Sequence, residues 1–318
     1  MRALHFDGHR AHLVDRPEPA ATPGMARVAV RMAGICNTDL ELVKGYMGFE
    51  GTLGHEFVGV VEEGPEAWRG QRVVGEINFA CGRCATCQRG LPRHCPARRV
   101  MGIQNADGAL AEQVLVPVEN LHAVPDGISD LQAVFTEPLA AAFEILEQIH
   151  IEAGLDCLVL GDGKLGQLAA QVLQRAGAEV CAVGHHPEKL ALLSARGIET
   201  RLESDWQPRP TSLVVEATGS ARGFQLALAS TRPRGTLVLK STVAEHPAVD
   251  LAPLVIHEIQ LLGSRCGPFE PALQALGEGS VEVAGLVEER LPLARADEAL
   301  RRAARPGVLK VLVEVATR

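Results

Sequence analysis

Residues 157–173 read CLVLGDGKLGQLAAQVL. An apolar run ends at Gly161, and Gly161, Gly163 and Gly166 follow in the order G-x-G-x-x-G at the start of an amphipathic helix. A dinucleotide-binding turn needs this context. Backbone N–H groups must approach a pyrophosphate with no Cβ in the way, and the helix N-terminus adds positive potential. The same texture repeats downstream. Strands are expected at 179–184, 213–219, 235–241 and 259–264, with helices at 166–177 and 187–197. Strand, helix, strand in repetition builds a parallel sheet covered on both faces. The expected class is therefore α/β, with a Rossmann doubly wound sheet.

An NAD site usually carries an acid at the end of the second strand, about 20 residues on, to bond the ribose 2′-OH. Here residues 182–190 read AVGHHPEKL. Gly184 stands where the acid is expected. His185 and His186 follow it, and Lys189 comes a turn later. Loss of the carboxylate removes repulsion toward a 2′-phosphate, and His and Lys donate to one. The cofactor expected is NADP, with NAD as the alternative.

Upstream, the first 120 or so residues carry short Val-rich runs between Gly and Pro, at 26–34, 57–64, 71–77 and 111–119. These predict an irregular β-rich unit. A long, mostly buried helix is expected over 131–149. Beyond the α/β segment come a helix at 296–305 and a terminal strand at 308–315.

Cys81, Cys84, Cys87 and Cys95 are spaced Cys-x2-Cys-x2-Cys-x7-Cys. Four thiolates that close in sequence complete a tetrahedral Zn²⁺ shell and leave no position for substrate, so this is read as a structural zinc site. A second, scattered set of ligand-type residues, Cys36, His55, Glu56 and Glu137, then becomes the candidate for chemistry. A catalytic zinc takes N, S and O ligands and keeps one position open.

Together these motifs resemble the zinc-dependent medium-chain alcohol dehydrogenase superfamily over essentially the whole chain. The resemblance rests on G-I-C-x-T-D at 34–39, G-H-E-x-x-G-x-V at 54–61, the cysteine lobe, E-P-L-A at 137–140 and G-D-G-x-L-G at 161–166. It implies a GroES-like catalytic domain over 1–122, a Rossmann domain over 123–264 and a return to the catalytic domain over 265–318. It also implies alcohol–carbonyl hydride transfer, with one catalytic and one structural zinc. Cys36 and His55 match zinc ligands, and Glu56 matches the acid beside the metal. Glu137, where many members have a second cysteine, points to the polyol and sugar dehydrogenase branch. Thr38 matches the hydroxyl that takes the substrate proton, and Asp39 matches a carboxylate behind the ligands. Glu41, at the place of a relay histidine, is a candidate proton carrier. Lys189 matches a lysine near the adenosine ribose. Lys310 matches a basic residue that meets the pyrophosphate. A homodimer or homotetramer is implied. The chain departs from the family in being short, with a compressed stretch between Glu63 and Arg72.

Bulk composition narrows the partners. The net charge is −8 with no block of like charge, and aromatic residues make up 3%, which disfavours nucleic acid. No apolar run of about 18 residues offers a membrane span, and the first 20 residues lack the apolar core of a secretory signal. A soluble, cytoplasmic enzyme acting on a small alcohol or carbonyl compound is expected. Two other readings are a zinc-free enone or quinone reductase and a catalytically silent NADPH-binding protein. The complete ligand set and Thr38 count against both.

Overall fold

In the computed structural model, residues 1–242 and 249–315 are described. The chain forms two units. One comprises 1–137, 272–277 and 286–318; the other comprises 138–271 and 278–285.

The first unit is built on a seven-stranded sheet. Its strands run in the order Leu121–Ala123, Arg72–Gly75, Glu56–Glu63, Met25–Gly34, Lys310–Glu314 and Val287–Pro292, and Gln113–Pro117 pairs with Met25–Gly34. Met25–Gly34 alternates buried with half-buried or exposed residues and then ends on three buried positions, so its last residues are enclosed on both faces. Two smaller three-stranded sheets accompany it. One of them, Asn78–Phe79, Arg99–Met101 and Asn105–Ala106, flanks the cysteine lobe.

The second unit is a six-stranded, wholly parallel sheet. The order is Glu199–Leu202, Glu179–Gly184, Asp156–Leu160, Thr211–Glu216, Thr231–Leu239 and Gln260–Gly263. In chain order this is 3-2-1-4-5-6, which reverses direction between Asp156–Leu160 and Thr211–Glu216, and ligands of such sheets bind at that reversal. Leu158, Leu160, Val183, Val214 and Leu237 are buried in one core cluster. Cys157 and Cys181 are buried strand residues, as their apolar surroundings in sequence suggest.

Three expectations change in detail. The helix expected over 131–149 is two helices, Asp130–Ala133 and Thr136–Gln148. Pro138 explains the break. Inside one continuous helix its ring would meet the carbonyl of Val134, whereas in a first turn its missing N–H costs nothing. The strand Glu199–Leu202 was not anticipated; its ETRL sequence lies at the sheet edge and carries no apolar run. The run at 235–241 belongs to the strand Thr231–Leu239, next to the edge strand Gln260–Gly263.

Candidate active site

Strand register assembles the candidate metal site. Gly34, the last residue of its strand, pairs across to Glu56 on one side and to Leu312 on the other. The chain then turns through Cys36 into the helix Asn37–Leu42. Cys36, His55 and Glu56 bring their ligand atoms within 4.8 Å of one another. Gly34 matters here for space, since a Cβ would overlap the Glu56 carboxylate.

Asp39 ties the two ligand-bearing loops together. It is fully buried. One oxygen accepts the Cys36 N–H at 2.8 Å, and the other accepts the Gly54 N–H at 3.1 Å and lies 3.6 Å from His55 Nδ1. Gly54 holds φ +95°, and a Cβ there would come within 2.7 Å of the Leu110 backbone nitrogen, so only glycine suits the turn. Burial by itself lowers the His55 pKa. The Asp39 carboxylate and the Cys36 sulfur outweigh that and hold it well above the ordinary value. The site therefore attracts a cation, which is what a zinc site of this donor set requires.

Thr38 Oγ1 lies 3.7 Å from the Cys36 sulfur, on the same first turn. Glu41 is 14% exposed at its side chain and holds Lys44 Nζ at 2.8 Å. Glu137 is half-buried in the first turn of Thr136–Gln148. The resemblance sends Lys310 to the pyrophosphate; its side chain is 1% exposed and its ammonium pairs with Glu56. The Phe135 ring centroid lies 5.5 Å from that ammonium, and the Ile35 carbonyl 3.5 Å. A lysine enclosed in this way neutralises the buried Glu56 carboxylate.

The cysteine lobe fits a closed metal site. Cys84 Sγ lies 3.5 Å from Cys87 Sγ and 3.8 Å from Cys95 Sγ, and Cys95 Sγ lies 3.6 Å from Cys81 Sγ. Zinc at about 2.3 Å from four sulfurs sets tetrahedral S···S edges of about 3.8 Å. Backbone N–H groups of Arg83 and Cys84 pull the Cys81 thiol down to about 6. Burial, then the neighbouring sulfurs, pushes Cys87 up to about 12. None of the eight cysteines is in a disulfide.

The glycine-rich turn fits a pyrophosphate. Gly161 has φ +115° and passes so close to Ala217 that a Cβ would sit 2.7 Å from its carbonyl oxygen. Gly166 lets the helix Lys164–Arg175 rest on the Gly161 carbonyl. Gly163 caps that helix with no side-chain hydrogen bond and with open space beside it, which leaves the first-turn N–H groups for an anion.

At the end of Glu179–Gly184 the premise drawn from Gly184 does not hold. A carboxylate is present, supplied by Asp162 from between the glycines. Its Oδ2 accepts the N–H of His185 at 2.6 Å and of His186 at 2.7 Å. The His186 ring and Lys189 Nζ lie 3.1 and 3.9 Å from it. His185 is held by Glu203 at 3.1 Å. Asp162 and Glu203 were missed in the sequence. The first occupies a variable position of the glycine motif, and the second follows the unanticipated edge strand. An acid beside a Gly184 that has no room for a side chain was the available signal.

Comparison with known proteins agrees with this geometry. Residues 22–126 match the alcohol dehydrogenase GroES-like domain, and residues 165–278 match the zinc-binding dehydrogenase family. The chain is 28% identical to a sorbitol dehydrogenase of Halalkalibacterium halodurans over 98% of both chains. It is 32% identical to an L-threonine 3-dehydrogenase of Streptomyces avermitilis, over 87% of this chain and 88% of the relative. A crystal structure of a zinc-binding dehydrogenase from Sinorhizobium meliloti 1021 bound to NADP superposes with a TM-score of 0.89 at 28% identity, covering 98% of each chain. With a GroES-like unit, a Rossmann sheet and two cation-seeking ligand clusters, the chain belongs to the zinc-type medium-chain alcohol dehydrogenase superfamily.

Proposed function

We propose that this protein is a zinc-dependent dehydrogenase that moves a hydride between NAD(P)(H) and a polyol or sugar-type alcohol. The observation that carries this is the convergence of half-buried Cys36 with buried His55 and Glu56, held by Asp39 with the Thr38 hydroxyl alongside. Similarity to a sorbitol dehydrogenase supports the substrate class.

Cys36, His55 and Glu56 would hold the catalytic metal, three ligands that leave one position open for the substrate oxygen. Bound zinc supplies Lewis-acid polarisation of the substrate oxygen, and NAD(P)⁺ supplies the hydride acceptor. The chain's own residues do the rest. Asp39 fixes the two ligand loops and keeps His55 oriented. Lys310 offsets the charge of Glu56, so that this buried carboxylate is not left uncompensated. Thr38 is placed to accept the alcohol proton at Oγ1, and Glu41 is a carrier toward solvent. Gly161, Gly163 and Gly166 cradle the pyrophosphate.

The second zinc is assigned to Cys81, Cys84, Cys87 and Cys95. Free thiols throughout suit a reducing, cytoplasmic setting, and among the described residues no helix is long and apolar enough to cross a membrane. The edge strand Gln260–Gly263, with Leu261 exposed beside exposed Val255 and Ile256, is the surface proposed for self-association. The test is a screen of NAD⁺ and NADP⁺ reduction across polyols, sugars and simple alcohols. Reduction with polyols or sugars is expected, and no turnover with any alcohol at full zinc loading would overturn the assignment.

A further inference from the structure

Gly184 and Asp162 together replace the strand-end acid by another route. A Cβ at position 184 would overlap the Cβ, Cγ and Oδ2 atoms of Asp162. The glycine is therefore the space into which the loop carboxylate fits. The Asp162 side chain is 8% exposed and that of Lys189 is 7% exposed. Two consecutive N–H groups, from His185 and His186, converge on Asp162 Oδ2 at 2.6 and 2.7 Å. Such paired N–H groups form a small anion-binding nest, and here an internal anion already fills it.

The surrounding charges are also spoken for. The His186 ring lies against Asp162. Lys189 Nζ is 3.9 Å from Asp162 Oδ1, and Gln167 anchors the Lys189 carbonyl at 2.9 Å. His185 and Arg222 both pair with a second, largely buried carboxylate, Glu203, at 3.1 and 2.7 Å. Among the described residues, Lys189 and Arg222 are thus each already paired with a carboxylate, which opposes a phosphate dianion. A ribose hydroxyl meets a different surface. A carboxylate offers about four lone-pair sites, and Asp162 Oδ1 takes no backbone donor.

We infer that Asp162 is the cofactor-selecting residue: presented from the glycine-rich loop into the space left by Gly184, it accepts from the adenosine ribose 2′-OH and excludes a 2′-phosphate, so that the enzyme selects NAD(H). This inference rests on the dehydrogenase reading and goes beyond it, since the two cofactors carry out the same hydride chemistry.

Equilibrium binding to the zinc-loaded full-length protein tests it without turnover. NAD⁺ and NADP⁺ are titrated separately by calorimetry. NAD⁺ is expected to bind at least about tenfold more tightly, the size of one charge-assisted hydrogen bond. Asp162→Ser frees the nest, so it should weaken NAD⁺, strengthen NADP⁺ and shift the affinity ratio by about tenfold or more. Asp162→Asn keeps the shape while removing the charge and should shift the ratio the same way by less; it serves if the serine variant does not fold. NADP⁺ binding as tightly as NAD⁺ in the wild type, or an affinity ratio indifferent to both substitutions, overturns the inference alone. Binding of neither cofactor overturns the dehydrogenase reading and this inference with it.

Discussion

Asp39 is the residue on which the candidate metal site depends most. It touches neither substrate nor cofactor in the proposed mechanism, yet it joins the Cys36 turn to the Gly54–His55 turn through two backbone N–H groups. Carboxylates behind metal ligands typically set metal affinity or activity by about ten- to a hundredfold. Asp39→Ala should therefore weaken zinc at the Cys36 site by about that factor and leave the cysteine lobe loaded, as measured by chelator competition. Loss of both metals together would instead mean a general failure of folding. At this scale the sequence was informative where a residue's chemistry is rare in its neighbourhood. The cysteines and the G-H-E run announced themselves, and the structure brings Cys36, His55 and Glu56 together. It was less informative where a side chain's direction decides the role. Lys310 is a strand residue, and nothing in one dimension tells whether its ammonium turns inward to Glu56 or outward to a ligand. Gly184 likewise looked like an absence, when it is the room for Asp162.

Among the elements, the cysteine lobe is the clearest case of local order expected to depend on a metal. Its regular structure is one four-residue helix, Ala85–Gln88, and one short 3₁₀ turn, Pro92–His94. So little secondary structure buries little apolar surface, and Cys95 is the one ligand of the four that is fully buried. Cys95→Ser should reduce bound zinc from two to one per chain and lower the melting temperature, while cofactor affinity stays within about twofold of wild type, because the glycine-rich turn belongs to the other unit with its own core. An unchanged melting temperature with one zinc lost would show that the lobe does not need its metal. The parallel strands were legible because burial on both faces writes continuous Val and Leu runs. The edge strand Glu199–Leu202 was not, since an edge needs no such run. The helix break before Thr136 was legible in Pro138, but the apolar spacing across 131–149 masked it.

At the level of the whole molecule, the doubly wound order and the family membership follow from the alternation of strands and helices after residue 150 and from motifs spread along both units. Self-association is less visible in the sequence, because an edge is defined only once the sheet order is known. The sheet ends on Gln260–Gly263, where Leu261 is exposed, with Val255 and Ile256 78% and 72% exposed nearby. An open parallel edge beside apolar side chains favours pairing with a second copy. Light scattering should give a dimer or a larger assembly, and Leu261→Lys with Ile256→Glu should shift it toward monomer. A wild-type monomer at all concentrations would remove this surface from the account. The central claim is that Cys36, His55 and Glu56 bind the zinc on which alcohol oxidation depends. Zinc content and polyol-dependent cofactor reduction measured together on the wild type and Cys36→Ser test it most directly. The account predicts two zincs and turnover in the wild type, and one zinc, no turnover and intact cofactor binding in Cys36→Ser. A Cys36→Ser enzyme that keeps both zincs or full turnover would contradict it.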